Sequence, residues 1–487
     1  MHTELLTTLL DQLSAEDRDN VRRCTRRLSA SLPKPAPGDN VVLVAYGGGK
    51  DSSYTVAFVR AMQLTLLAET GATFTLRVAT NRQAGMPDAV MRNIDRVYTA
   101  LGLYGDDRCE LLLVDADEVR PFDADLPHSP TVLARNRTDV LLTGHRTAAD
   151  ARPTFCNACN LSMVNAFGLA AAYRGGVEVI VTGDSRQEQR AYVLWVHRLA
   201  RRFGSRGATG TPGFKGFLHA LDDLSQTYFT DIHGPGPAVS ARRITSAVPA
   251  ELCFFSIYDE TEYSSGDHWR LLTDFLGFEF DELAFSFTES DCANPALMAH
   301  LRALKCERFY GRDYVEGLAE YVDFAIDLMH RKEFPQVLVD TMAERYRAPG
   351  AAERLRARIN TFAWDSYRLT EQQLICMVYA PFAGQGRELD RFVSREHPTA
   401  LGRLDDLHAA LAGAPPSRQD AEFLTGVSGL DLEQLRTVYR SPVPGRPNGA
   451  ADGSMLEAIL AGDPHKAVIS TRHASAGPAV AELISGR

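Results

Sequence analysis

The sequence predicts an α/β fold, a parallel sheet with helices on both faces followed by a mainly helical C-terminal region. Three observations predict it. Short valine- and leucine-rich runs alternate with stretches of helical length through the first half of the chain, a glycine-rich turn stands directly behind the first run, and beyond about Ile244 only helical spacing persists.

Residues 2–31 place Leu5, Leu6, Leu9, Leu10 and Leu13 at helical spacing and end at "LPKPAPGDN", whose prolines stop a helix. This predicts an N-terminal helical segment, 1–38. Then "NVVLVAY", "TFTLRVAT" and "CELLLVD" read as strands separated by the helices "SSYTVAFVRAMQLTLLAETG" and "MPDAVMRNIDRVYTALGL". After an irregular stretch, "ACNLSMVNAFGLAAAYRGG" reads as a helix and "VEVIVTGD" as a short buried strand. These elements define a nucleotide-type domain, 39–243. In such sheets ligands bind outside the carboxyl ends of the strands, so Gly47–Ser53, Thr80–Arg82 and Gly183–Arg186 should surround one crevice. Residues 244–410 read as a mainly helical domain for acceptor or partner. Residues 411–487 read as a Pro-, Gly- and Ala-rich extension with short helices on flexible connectors.

With 487 residues, 45% hydrophobic and 23% charged, the chain has a globular composition and room for more than one domain. A net charge of −10 gives no global attraction to nucleic acid or an acidic membrane. The N-terminus lacks the apolar core of a secretory signal, and no uninterrupted apolar run of spanning length is evident. A soluble, cytoplasmic protein with no membrane partner is the expectation. Eight cysteines are too sparse for a disulfide scaffold, and "CNAC" at 156–159 has the spacing of metal or redox chemistry.

The stretch "VAYGGGKDSSYTVAF", 44–58, places glycines where a strand turns into a helix, a geometry that offers backbone N–H groups to an anion. It is not a Walker-type P-loop, because Asp51 separates Lys50 from Ser52. A carboxylate beside a phosphate cradle calls for a cation between them, which suggests Mg²⁺ with ATP. The six residues Gly47 to Ser52 resemble the "SGGxDS" signature of the PP-loop ATP pyrophosphatases, with glycine in place of the first serine. The resemblance implies a fold of the HUP/PP-loop type. It also implies that the backbone amides, Lys50, Ser52 and Ser53 hold the β and γ phosphates, with Asp51 helping to hold Mg²⁺. An acceptor carbonyl or carboxylate would then attack the α phosphorus, releasing pyrophosphate, and a nucleophile would displace AMP. Thr80 and Asn81 would lie near adenosine, with Gly183 in the ATP site, and Asp184 would orient ATP or the acceptor.

Cys156 and Cys159 sit where the reading starts a helix, and a helix N-terminus lowers a thiol pKa. Two cysteines cannot complete a metal site, so a further ligand is needed, and Cys292 lies in a loop before a proline-started helix. Cys306 and His268 are rival ligands. The chain order is similar to that of the tRNA 2-thiocytidine synthetases, which implies an iron–sulfur cluster on Cys156, Cys159 and Cys292. It is similar also to that of the N-acetyl sugar amidotransferases, which implies nitrogen transfer. Zn²⁺, a redox dithiol and a structural role for the pair stay open.

The "GHxxDD" of the sulfur-transfer branch is absent, since "TGDSRQE" stands there with Asp184 and Glu188, and the "LLTGH" of 141–145 precedes the cysteines. His145 is therefore expected in a loop. Arg198, Arg201, Arg202, Arg206 and Lys215 form a basic, glycine-rich stretch that suits RNA phosphates or a lid over ATP or substrate. Without an RNA-binding domain a small-molecule acceptor is the leading expectation and tRNA the second. No glutaminase motif is present, so sulfur or ammonia would come free, from a donor amine or from a donor protein. A homodimer is left open, as is a non-catalytic nucleotide-binding regulator.

Overall fold

The computed structural model describes residues 2–183, 186–205, 213–244, 247–248, 252–259, 268–285, 291–331, 334–443, 453–462 and 466–485. Its centre is a six-stranded sheet of order β4-β3-β2-β1-β5-β6. The strands are β1 (Val41–Ala45), β2 (Thr75–Asn81), β3 (Cys109–Asp115), β4 (Glu118–Pro121), β5 (Val179–Thr182) and β6 (Cys253–Ser256). All neighbours are parallel except the β3–β4 pair, an antiparallel edge. The chain leaves β1 toward β2 and β3 on one side and returns to β5 and β6 on the other. The strand order therefore reverses beside the glycine turn, where doubly wound sheets open a crevice. The sheet runs past residue 243 through β6, so that boundary falls inside it.

Alternation along the strands gives the sheet two apolar faces. Val42 and Val44 join one core and Leu43 the other. On the first face lie α3 (Lys50–Thr70) and α4 (Asp88–Ala100). The helices α1 (His2–Asp11) and α2 (Ala15–Ser31) cover α3 from outside through Leu9, Val21, Cys24 and Leu28. This explains why α3 is apolar on nearly all sides. On the second face lie α5 (Pro130–Thr147), α6 (Ala151–Ala172) and α8 (Gly213–His233), with α7 (Arg186–Arg202) packed against α8. Arg77 of β2 ties α6 to the sheet, donating to Ala170 O at 3.0 Å and Tyr173 O at 2.9 Å while pairing with Glu110 at 2.6 Å.

Beyond β6 the chain is mainly helical, as expected. The helix α9 (Asn294–Leu304) is buried along its whole length, among α6, α10 (Tyr314–Arg331), α12 (Ala351–Tyr367) and α13 (Glu371–Tyr379), while α11 (Gln336–Arg347) packs on α10 and α12. Residues 411–487 hold helices and also an antiparallel hairpin, β7 (Lys466–Thr471) with β8 (Val480–Ser485), which a reading of short helices alone did not contain.

One expectation needs correction. His145 lies inside α5, fully buried, rather than in a loop, and burial holds it down at about 4, so it is neutral at pH 7. One helix, Arg152–Gly175, is long and apolar enough to cross a membrane by length and composition alone; it overlaps α6, which packs on β2 and β3 as a core helix does.

Candidate active site

The glycine turn is built for close approach. Gly48 has a φ of +80°, and a Cβ there would meet Val90 and Ile94 of α4. Gly49 caps α3 with no side-chain hydrogen bond to the helix amides. The cap thus leaves the helix N-terminus to an anion. Lys50 is buried at the start of α3, with Nζ 2.5 Å from Asp51 Oδ1 and 5.2 Å from the centre of the Phe334 ring. Ser52 donates to Gly49 O at 3.1 Å. Ser53 is fully buried, and its hydroxyl is engaged by Gly49 O at 2.8 Å and Tyr46 OH at 2.9 Å, so it braces the turn from behind.

The other strand ends converge on this turn. A Cβ on Gly183, after β5, would lie 3.2 Å from Thr55 of α3. Thr80 and Asn81 end β2 beside β1, and neither side-chain polar atom of Asn81 has a partner among the described residues. Asp184 and Arg206 lie outside the described residues.

Sequence reasoning missed Asp291. Its Oδ2 lies 3.1 Å from where a Cβ on Gly47 would stand, which puts a carboxylate from a distant part of the chain against the glycine turn. The next residue is Cys292. Its thiol is pushed well above the ordinary range first by burial, then by Cys159, Asp291 and Cys156. All three of those thiols also act on Tyr367, so they gather around one phenol. Tyr367 donates to Asn294 Oδ1 at 2.7 Å, and the Asn294 amide donates to Cys292 Sγ at 3.4 Å. Cys159 donates to Gln83 Oε1. The backbone at Ala293 donates to Gly85 O at 2.8 Å, which fixes this loop to the end of β2. The rivals lie elsewhere: Cys306 neighbours Arg302, Glu320 and Arg312, and His268 stacks on Tyr54.

The cysteine pair is not at a helix N-terminus. The helix α6 starts at Ala151, which puts Cys156 and Cys159 in its second and third turns on one face. The helix-end argument for lowered thiol pKa values has no basis here, since that effect is confined to the first turn. The Cys292 thiol, held protonated first by burial, becomes a thiolate when a cation stands beside it. The donor chemistry of the three thiols suits a thiophilic metal or cluster. Among the described residues, no group of three or more His, Cys, Asp or Glu is drawn up to hold an ion.

Beyond Cys159 opens a cleft between the end of β2, α5, α6 and α8. Compared with known family models and with characterised proteins, the chain matches none.

Proposed function

We propose that the protein is an ATP-dependent adenylating enzyme that splits ATP to AMP and pyrophosphate and transfers sulfur or nitrogen to the activated carbon of a small molecule. One observation carries this reading: consecutive residues, Asp291 and Cys292, join the glycine turn to the thiols, so a nucleotide on the turn would have its α phosphorus in the crevice where the cysteines gather. The doubly wound strand order supports a PP-loop sheet of the HUP type, and a cytoplasmic location belongs to the same proposal.

On this reading the Gly47–Gly49 amides, Lys50 and Ser52 clamp the pyrophosphate that leaves, and Ser53 keeps the turn in shape. Asp51 and Asp291 flank the turn and would hold Mg²⁺, which supplies neutralisation of the phosphate charge. The acceptor oxygen attacks the α phosphorus as the bond to pyrophosphate breaks. Sulfur or nitrogen then attacks the activated carbon, and AMP leaves with the oxygen. Preorganised donors around the leaving group favour this cleavage. Cys156, Cys159 and Cys292 would hold a thiophilic metal or iron–sulfur cluster, which supplies a place to carry sulfur; a dithiol or nitrogen chemistry is the second version of the same step.

The test is to incubate the protein with Mg²⁺-ATP, a sulfide or ammonia source and a panel of small carboxylates and amides, and to separate the nucleotides. AMP and pyrophosphate in equal amounts, abolished in Asp51→Ala, are expected. ADP with phosphate, or no nucleotide binding, overturns the reading.

A further inference from the structure

The cleft beyond Cys159 contains a feature that nucleotide binding does not use. Arg82 follows β2 directly, and its side chain is only 3% exposed. Its Nε and Nη1 have no partner among the described residues. Its ion-pair partner, Asp88, is 3.5 Å from Nη2 and itself 83% exposed, so the pair is long and stands half in solvent. Of the other arginines on the cleft wall, Arg242 and Arg243 are better matched, and Arg135 is more exposed than Arg82. Arg242 reaches Asp139 at 2.6 Å, Arg243 donates to Asp222 at 3.0 Å and Arg135 lies 3.5 Å from Asp117, itself on the wall.

A buried guanidinium with unfilled donors is costly to keep, and a ligand anion removes that cost. Its planar fork matches a carboxylate or a phosphate group. No residue of the glycine turn lines the cleft, whereas Gln83, Cys159 and Tyr367 do. The far wall mixes apolar Phe155 and Phe229 with Asn136 and Ser162, which suits a small organic body.

We propose that this cleft is the acceptor site, and that Arg82 anchors an acidic group, a carboxylate or phosphate, on a small acceptor whose reacting carbon faces the thiols. The assignment of the bound molecule as acceptor rests on the adenylating reading. The anion site itself does not.

Equilibrium dialysis of the purified protein against radiolabelled succinate and, separately, inorganic phosphate tests it. Saturable binding of one equivalent is expected for one of the two probes, which also decides between carboxylate and phosphate. Arg82→Gln should weaken that binding about tenfold, the loss of one charge-assisted interaction. Arg82→Lys should recover part of it. Ser162→Glu, which adds a negative charge to the cleft wall without touching Arg82, should abolish binding if Arg82→Gln fails to fold. Lys50→Ala should leave the Arg82-dependent part of the binding unchanged. Binding of neither probe overturns the proposal. So does binding that survives both Arg82→Gln and Ser162→Glu, or binding lost only in Lys50→Ala, which would place the anion on the glycine turn. Dialysis that succeeds while the nucleotide assay yields no AMP removes the acceptor role and keeps the anion site. AMP formation without probe binding defeats the cleft assignment alone.

Discussion

At Gly48 the backbone and its neighbours together exclude any side chain. A Cβ would lie 2.6 Å from Val90 Cγ1 and 2.8 Å from Ile94 Cδ1, at a φ of +80° that L residues rarely adopt. Gly48→Ala should therefore lower stability by about 1–3 kcal/mol through strain and overpacking. It should also displace the turn that presents the amides. Urea unfolding measures the first effect and Mg²⁺-ATP binding the second; unchanged values for both would mean the turn tolerates a methyl group and is no close cradle. The type of residue needed here was legible, because a glycine run between a strand and a helix has few uses. The role of Ser53 was not. Sequence offers two adjacent hydroxyls, and only the position of Tyr46 behind the turn separates the inward one from the other. Asp291 was invisible for a different reason, since nothing local marks a residue that meets Gly47 from a remote loop.

Elements were legible where periodicity was strong. The strand β3 matches its expected run at both ends, and β1, β2, α3 and α4 lie within theirs to a few residues. The helix α6 starts earlier than its expected run, with Pro153 in its first turn, where proline is tolerated. The β7–β8 hairpin was hidden by its Pro- and Gly-rich surroundings, although "KAVIST" and "VAELIS" are each strand length. Beside the buried Ile484, the hairpin meets the body through an ionic cluster. Glu482 receives Arg302 at 2.8 Å and Lys305 at 2.7 Å, with Tyr310 at 3.2 Å and His473 at 3.5 Å; Thr471 donates to Glu320 at 2.7 Å, which also binds Arg302 and Arg312. Burial raises the Glu482 pKa, but Lys305 and Arg302 outweigh it and bring the carboxyl from 4.5 down to about 2. A depressed carboxyl stabilises the docked state above its ordinary pKa and loses that stabilisation as pH falls toward the folded value. The window is thus about pH 4.5 down to 2, and the ceiling is on the order of 3 kcal/mol. Hydrogen exchange of the β7 and β8 amides should show protection falling across that window, and Glu482→Gln should be loosened already at pH 7. A hairpin equally protected at pH 7 and pH 3 would show that apolar packing, not Glu482, docks it.

At the scale of the whole molecule the crevice was legible in outline, because three strand ends were expected to meet at one edge and Gly47–Ser53, Asn81 and Gly183 do. The cleft was not, since it arises where α5, α6 and α8 happen to leave space, and Arg82, expected around the crevice of the glycine turn, lines this cleft instead. On the proposed function, the meeting of glycine turn and thiols at residues 291 and 292 has a consequence that single-site chemistry would not produce: neighbouring substitutions should separate two functions. Asp291→Ala removes a carboxylate from beside the turn and should weaken Mg²⁺-ATP binding about tenfold or more while leaving bound metal unchanged. Cys292→Ser should do the reverse, leaving nucleotide affinity intact and stripping metal from the thiols. Anaerobic purification followed by iron, zinc and acid-labile sulfide analysis reads the second effect, and calorimetric titration with Mg²⁺-ATP reads the first. Iron with sulfide would assign sulfur transfer, and zinc or no metal in the wild type would favour nitrogen. If instead both variants lose nucleotide binding together, residues 291–294 act only as a wedge that shapes the turn, and the thiols belong to packing around Tyr367 rather than to the reaction.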